Sequence, residues 1–361
     1  MRERTGPLAA ALCALTLACT GCGGALTTGL HVSGNRLLLD GRPFEIHGLQ
    51  IVGIVAPKTA LRGQYLAASQ HFGPAEIQAA RAWGANTIRF QLSQPGLDPS
   101  STLYSAAYVA KVQSAVRLAR NDGLAVILSL QDQTPSGQTN PWPMPTEATA
   151  RAWGVLAPLF GRDPGVAFEL FNEPELPPSA TDWRLWAQGG TVAPFREHAA
   201  FTAVGAQALI DQIRATGASN VILVDGLDWA VSLAGQPALR DPDHQIAYAV
   251  HPYFGGWMKP DAETAWNQDF GDAATREPVV VTEWYVASNQ SGCKTDWPTA
   301  ATQFIGYLRG HHIGLVGFAF DVPGTVIANW SYAPTTYTDF TCGTQGGGPG
   351  ALIYAWYHDG S

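Results

Sequence analysis

The chain has 361 residues, 46% hydrophobic and only 14% charged, which is enough apolar mass for a large buried core and excludes a disordered chain. Its formal net charge of −8 offers nothing to phosphate backbones or anionic lipid, so nucleic acid is excluded as a partner. The length suits one large domain, and 12 tryptophans with 39 glycines point to aromatic binding surfaces on shaped loops.

Residues 1–24 read as an export signal, with Arg2 and Arg4 as a basic start and Leu8 to Ala18 as an apolar run too short to span a membrane. Leu15-Thr16-Leu17-Ala18-Cys19 resembles a bacterial lipobox, which would lipidate Cys19; Cys22 is a poorer candidate, and an ordinary cleaved signal is the alternative. Either way the expected product is secreted or held at the cell surface, touching membrane only through such an anchor, and monomeric. Residues 25–361 are expected to form a single catalytic domain. Its two cysteines, Cys293 and Cys342, are expected to form a disulfide in an oxidising compartment. No cysteine or histidine spacing suggests a metal, and no cofactor is expected.

From Leu30 to Leu39, followed by Asp40-Gly41, the pattern predicts a small hairpin closing the bottom of a barrel. Eight apolar β-type runs follow: Phe44–Val52, Asn86–Leu92, Ala125–Leu130, Val166–Phe171, Val221–Val224, Ile246–Val250, Val279–Thr282 and Leu315–Phe320. Helical stretches alternate with them. Pro74 to Trp83 starts at a proline and stops at Gly84; Tyr108, Val112, Val116 and Ala119 recur at helical spacing; Phe201, Val204, Ala208, Leu209 and Ile213 do so again before Gly217. This order predicts an α/β fold, a (β/α)₈ TIM barrel.

Active residues in such a barrel gather where strands end. The second run ends near Arg89, the fourth in Asn172-Glu173-Pro174, the sixth in His251-Pro252-Tyr253 and the seventh in Glu283-Trp284. Two glutamates facing each other across a barrel mouth suit a bond flanked by an acid and a nucleophile, as glycoside hydrolysis requires.

Phe171-Asn172-Glu173-Pro174 with Val281-Thr282-Glu283-Trp284, joined to the arginine strand and His-Pro-Tyr in this order, resembles glycoside hydrolase family 5, the cellulase family. The resemblance implies a retaining barrel enzyme, with Glu173 as acid/base and Glu283 as nucleophile. It further implies that Asn172 holds a sugar 2-hydroxyl, that Arg89 and Tyr253 contact Glu283, and that His251 supports the acid/base. The chain departs from the family at Gln131, where a histidine is usual, and at the eighth run, where Phe318, Phe320 and Asp321 replace a tryptophan platform. Trp330 is expected to take over that platform. Gln131 and Trp284 are expected to bind substrate as well. Trp142, Trp183, Trp186, Trp229 and Trp257 also follow strand ends and suit stacking on pyranose faces.

The expected activity is an endo-β-1,4-glucanase acting on polysaccharide or oligosaccharide. A mannanase, a xylanase or another β-glycanase of the same family is the alternative. From another class, a catalytically dead surface glycan-binding protein would have no need of both glutamates, Arg89 and Tyr253.

Overall fold

A computed structural model describes Met1 and residues 29–254, 262–344 and 346–359. The lipobox stretch with Cys19 and Cys22, and Trp257, fall outside the described residues. Among the described residues no helix is long and apolar enough to cross a membrane.

Eight parallel strands close into a barrel: β1 (His47–Ile51), β2 (Thr87–Ser93), β3 (Ala125–Gln131), β4 (Val166–Glu169), β5 (Ile222–Asp225), β6 (Ile246–Val250), β7 (Val279–Trp284) and β8 (Gly314–Gly317). Closure is made by β8 beside β1, with Leu315 opposite His47 and Gly317 opposite Leu49. All eight predicted runs are present, although β2 continues past Arg89 to Ser93.

Period-two alternation divides each strand between two surroundings. Ile88, Phe90, Val126, Leu128, Val166 and Phe168 point outward into the core shared with the helices. Ile127, Ala167, Leu223, Ala247, Ala249, Val280 and Val316 fill the lower interior, closed from beneath by Leu30 and Leu37. The next inward positions are polar and buried: Gln50, Arg89, Gln91, Ser129, Glu169, Asp225 and Thr282. The barrel is thus oily at its base and hydrogen-bonded at its mouth.

Three details differ from the expected pattern. Leu30–Ser33 pairs with Arg36–Leu39 about a Gly34-Asn35 turn, and Asp40-Gly41 makes a second turn into Arg42–Pro43, so the bottom closure has three strands. Phe201–Val204 is no part of a helix; it pairs antiparallel with Gly189–Val192, and the helix begins at Ala206. Thr202 between them favours extended backbone, so two residues at helical spacing misled. Finally, β7 carries a register shift between Val281 and Trp284. This irregularity turns both Thr282 and Glu283 toward the polar interior, and Trp284 outward.

The expected disulfide is formed between Cys293 and Cys342, with Cα atoms 5.6 Å apart, tying the loop after β7 to the loop after β8.

Candidate active site

Arg89 organises the floor of the barrel mouth. Its guanidinium meets Glu169 through Nε (2.8 Å) and Nη2 (2.6 Å), Glu283 through Nη1 (2.5 Å), and Asn172 Oδ1 and Ser129 Oγ through Nη2 (2.7 and 2.9 Å). Burial alone would make it easier to deprotonate, but Glu169 and Glu283 push the other way and keep it charged. Glu283 receives three further donors: Gln91 Nε2 at 2.8 Å, Gln50 Nε2 at 3.2 Å and the Tyr253 hydroxyl at 2.9 Å. Burial and then the Glu283 charge push the Tyr253 hydroxyl well above its ordinary pKa, so it remains a donor. Asn172 Oδ1 also accepts from Gln91, which leaves the buried Asn172 amide nitrogen as an unspent donor.

Glu173 sits just past β4 in a left-handed conformation, φ 57°, which a non-glycine residue adopts only under local constraint. Its backbone N–H donates to Asp225 Oδ2 at 3.0 Å, its Oε1 lies 2.9 Å from His251 Nδ1, and its Oε2 accepts from Gln133 Nε2 at 2.7 Å. A carboxylate oxygen of Glu173, a nitrogen of His251 and a carboxylate oxygen of Glu283 all lie within 4.8 Å of one another. So do atoms of Glu169, Asp225 and His251. Such spacing would also suit a metal ion. Here, however, Glu283 is already met by four protein donors and Glu169 by the Nε and Nη2 groups of one guanidinium edge, so Arg89 supplies the positive charge.

A cavity of about 300 Å³ opens above this floor, lined by Glu283, Gln91, Gln131, Gln133, Tyr65, Trp229, Glu175 and Phe318. Through Tyr65, Thr134 and Pro135 it continues into a larger groove of about 940 Å³ beside Thr59, Arg62, Leu103 and Gln138. Together they form a cleft longer than one sugar ring. At its opposite side Arg196 pairs with Glu175 (2.7 Å) and lies 4.9 Å from the centre of the Trp229 ring. Burial raises the Glu175 carboxyl to about 7, with Arg196 opposing and Glu173 reinforcing the shift.

Of the residues expected at the site, Arg89, Asn172, Glu173, His251, Tyr253 and Glu283 are brought together, and Gln131 lines the cavity while donating to Gln133 at 2.9 Å. Trp284 is a correction: the β7 irregularity sends its fully buried ring outward against Phe254 and Phe304, out of reach of a sugar. Trp330 is another, because its ring stacks on His71 at 3.8 Å and it is Phe318 that lines the cavity, near Tyr253 and Tyr285. Trp183 and Trp186 are buried against each other, and Trp142 packs on His198 and Phe201. Among the described tryptophans of that set, Trp229 lines the cavity. Sequence reasoning confined to strand ends passed over Gln50, Gln91, Ser129, Glu169, Asp225 and Thr282. Their signal was present as polar residues at every second position of otherwise apolar runs, as in Thr87-Ile88-Arg89-Phe90-Gln91-Leu92.

The model of the Cellulase family, glycosyl hydrolase family 5, matches residues 58–322. "Endoglucanase N" of Pectobacterium atrosepticum is 24% identical over 247 residues, 64% of this chain and 49% of that protein. The chain therefore spans about half the length of the curated relatives it matches. In fold it is similar to a β-glucanase from Saccharophagus degradans in complex with cellotetraose, at TM-score 0.67 and 22% identity, covering 92% of this chain and 94% of that one. It is similar also to a β-mannanase from Thermomonospora fusca, at TM-score 0.53 and 19% identity over 81% and 85% of the two chains.

Proposed function

Because this chain belongs to glycosyl hydrolase family 5, the cellulase family, we propose that it is a retaining glycoside hydrolase cutting β-1,4-glucan chains internally, with Glu283 as nucleophile and Glu173 as acid/base. The observation that carries the reading is the closeness of the two carboxylates, with oxygens within 4.8 Å. Retaining enzymes hold their carboxyls about 5–5.5 Å apart, whereas inversion needs roughly 6.5–9.5 Å to admit a water.

Glu283 attacks the anomeric carbon from its bed of four donors while Glu173 gives its proton to the departing glycosidic oxygen. The glycosyl ester on Glu283 is then opened by a water whose proton goes to Glu173, and both carboxyls return to their starting states. Asn172, with its amide nitrogen unspent, offers a hydrogen bond to the 2-hydroxyl of the reacting sugar. Internal cleavage is favoured by the cleft, which runs on past Tyr65. A glucan is favoured by the names of the relatives, endoglucanase and β-glucanase.

Proton NMR of the first-formed anomer tests the mechanism: a β-anomer from a β-linked substrate is expected, and an α-anomer would remove both roles. Product analysis on cellulose, mannan, xylan and mixed-linkage glucan oligosaccharides tests the substrate. Mid-chain cleavage of the glucans is expected, and turnover of mannan or xylan alone would overturn the glucan assignment.

The same proposal includes export, supported by the leader composition and by a disulfide suited to an oxidising compartment. Mass spectrometry of the mature N-terminus distinguishes a lipidated Cys19 from a free start beyond Cys22.

A further inference from the structure

We propose that Thr282 is a positioning residue that fixes the tautomer of His251 and, through it, keeps the catalytic proton on Glu173. The inference rests on the acid/base role of Glu173 proposed above.

The His251 ring is wholly buried, and each of its nitrogens has a defined partner: Nδ1 lies 2.9 Å from Glu173 Oε1, and Nε2 lies 3.0 Å from Thr282 Oγ1. Four carboxyl groups face the ring. Glu173 and Glu283 (3.9 Å) stand on the Nδ1 side, and Glu169 (3.9 Å) and Asp225 (4.0 Å) on the Nε2 side. Arg89 stands behind Glu169, and the Tyr253 hydroxyl lies on Glu283. Thr282 Oγ1 is itself 3.3 Å from Glu169 Oε1.

Donor and acceptor counting then assigns the hydrogens. Burial would raise the Glu169 carboxyl, but the Arg89 charge overrides it and holds Glu169 below the usual range, as an acceptor only. Asp225 goes the other way: burial and then the Glu169 charge push it well up, so it is the neutral member of that pair. The hydroxyl of Thr282 has one proton, and Glu169 takes it. Thr282 Oγ1 can then only accept from His251, so Nε2 carries the ring hydrogen. In the neutral ring Nδ1 is then a bare acceptor, and Glu173 completes the contact only when it carries a proton of its own. This is the state a general acid needs before the first step. Once Glu173 has given that proton to the leaving oxygen, two acceptors face each other at 2.9 Å. That mismatch is relieved when Glu173 takes a proton from the incoming water, so the same arrangement assists the second step.

Without the hydroxyl, the competing tautomer gains ground. Its Nδ1–H donates to an ionised Glu173, and the acid form is lost. Thr282→Val is therefore expected to move the alkaline limb of the kcat/KM profile to lower pH. It should slow cellotetraose about tenfold or more, with the 10²–10⁴ that general acid catalysis supplies as the ceiling. A 2,4-dinitrophenyl β-cellobioside, whose leaving group needs no proton, should be slowed far less in its first step. Thr282→Ser should restore both the profile and cellotetraose turnover. Equal losses on both substrates with an unshifted profile would reduce Thr282 to packing and overturn the proposal, as would wild-type behaviour in Thr282→Val. Should Thr282→Val fail to fold, nitrogen-15 NMR of the wild-type imidazole decides. A protonated Nε2 with a bare Nδ1 is expected, and the opposite tautomer or an imidazolium would overturn it. A wild-type enzyme inactive on every glycoside would sink the acid/base reading instead, while leaving that spectrum interpretable.

Discussion

Among the described residues Arg89 is the one arginine or lysine buried at the barrel mouth, and two carboxylates depend on it. Removing one partner from a buried pair leaves an uncompensated charge, at a cost of about 3–5 kcal/mol. Arg89→Leu strands both Glu169 and Glu283 and should reach that range in urea unfolding, with turnover lost as Glu283 loses its strongest donor. A fold of unchanged stability would mean that the two carboxyls had taken up protons instead. Phe318 offers a second test at this scale. It occupies the cavity wall that Trp330 was expected to provide, and Trp330 is spent on His71. Phe318→Ala should weaken kcat/KM on soluble oligosaccharides by about 1–3 kcal/mol, the scale of one aromatic contact. Trp330→Ala should leave it nearly unchanged, and the reverse outcome would restore Trp330 as the platform.

Secondary-structure elements carry the side chains to the site with errors that alternation alone would not allow. Strict alternation along β7 would send Thr282 and Glu283 to opposite faces; the register shift between Val281 and Trp284 puts both inside. Nothing in Val-Val-Val-Thr-Glu-Trp announces an irregularity, which is why Trp284 looked like a sugar contact in the sequence. The two-stranded insertion, Gly189–Val192 with Phe201–Val204, was equally hidden, because Phe201 and Val204 fit a helical period as well as a strand. Its turn delivers Arg196 to Glu175 and to the Trp229 face, on the side where Glu173 would meet the leaving group. Arg196→Ala should therefore raise KM for cellotetraose while sparing an aryl cellobioside that lacks sugars on that side. Equal KM changes on both would place Arg196 elsewhere in the cleft. The Cys293–Cys342 link, by contrast, was legible from counting cysteines alone. It joins the β7 and β8 loops across 49 residues, and replacing both by alanine should lower stability by about 2–4 kcal/mol in urea unfolding.

Across the whole molecule, the eight-strand order and the pairing of Glu173 with Glu283 could be read from apolar runs and the residues ending them. The hydrogen-bonded layer beneath shows in the sequence only as polar residues at alternate positions of apolar runs; which of them meet, as Glu169 meets Asp225, is decided when the barrel closes and brings β4 beside β5. A second buried carboxyl pair shows what this closure implies for stability. Asp321, just past β8, accepts from the backbone N–H groups of Val52 (2.9 Å) and Gly53 (2.6 Å), pinning the first loop to the last. A side chain at position 53 would put its Cβ 2.9 Å from the Ala68 carbonyl oxygen, so glycine is what lets the backbone come this close. Glu76 is fully buried nearby, and neither of its carboxylate oxygens has a hydrogen-bond partner among the described residues. Burial, reinforced by Asp321, raises Glu76 from 4.5 to about 9, and burial raises Asp321 from 3.8 to about 7. The folded protein therefore holds these protons more tightly than the unfolded chain does. Their contribution is full below about pH 4 and is lost as pH rises, through about 7 for Asp321 and about 9 for Glu76. Each such proton gives a slope of about 1.4 kcal/mol per pH unit inside its window. The melting temperature should accordingly fall between pH 5 and pH 9. Glu76→Gln, which keeps the shape and cannot ionise, should flatten the part of that fall between pH 7 and pH 9. Parallel melting curves for the two proteins over that interval would show that Glu76 is not the group holding the proton.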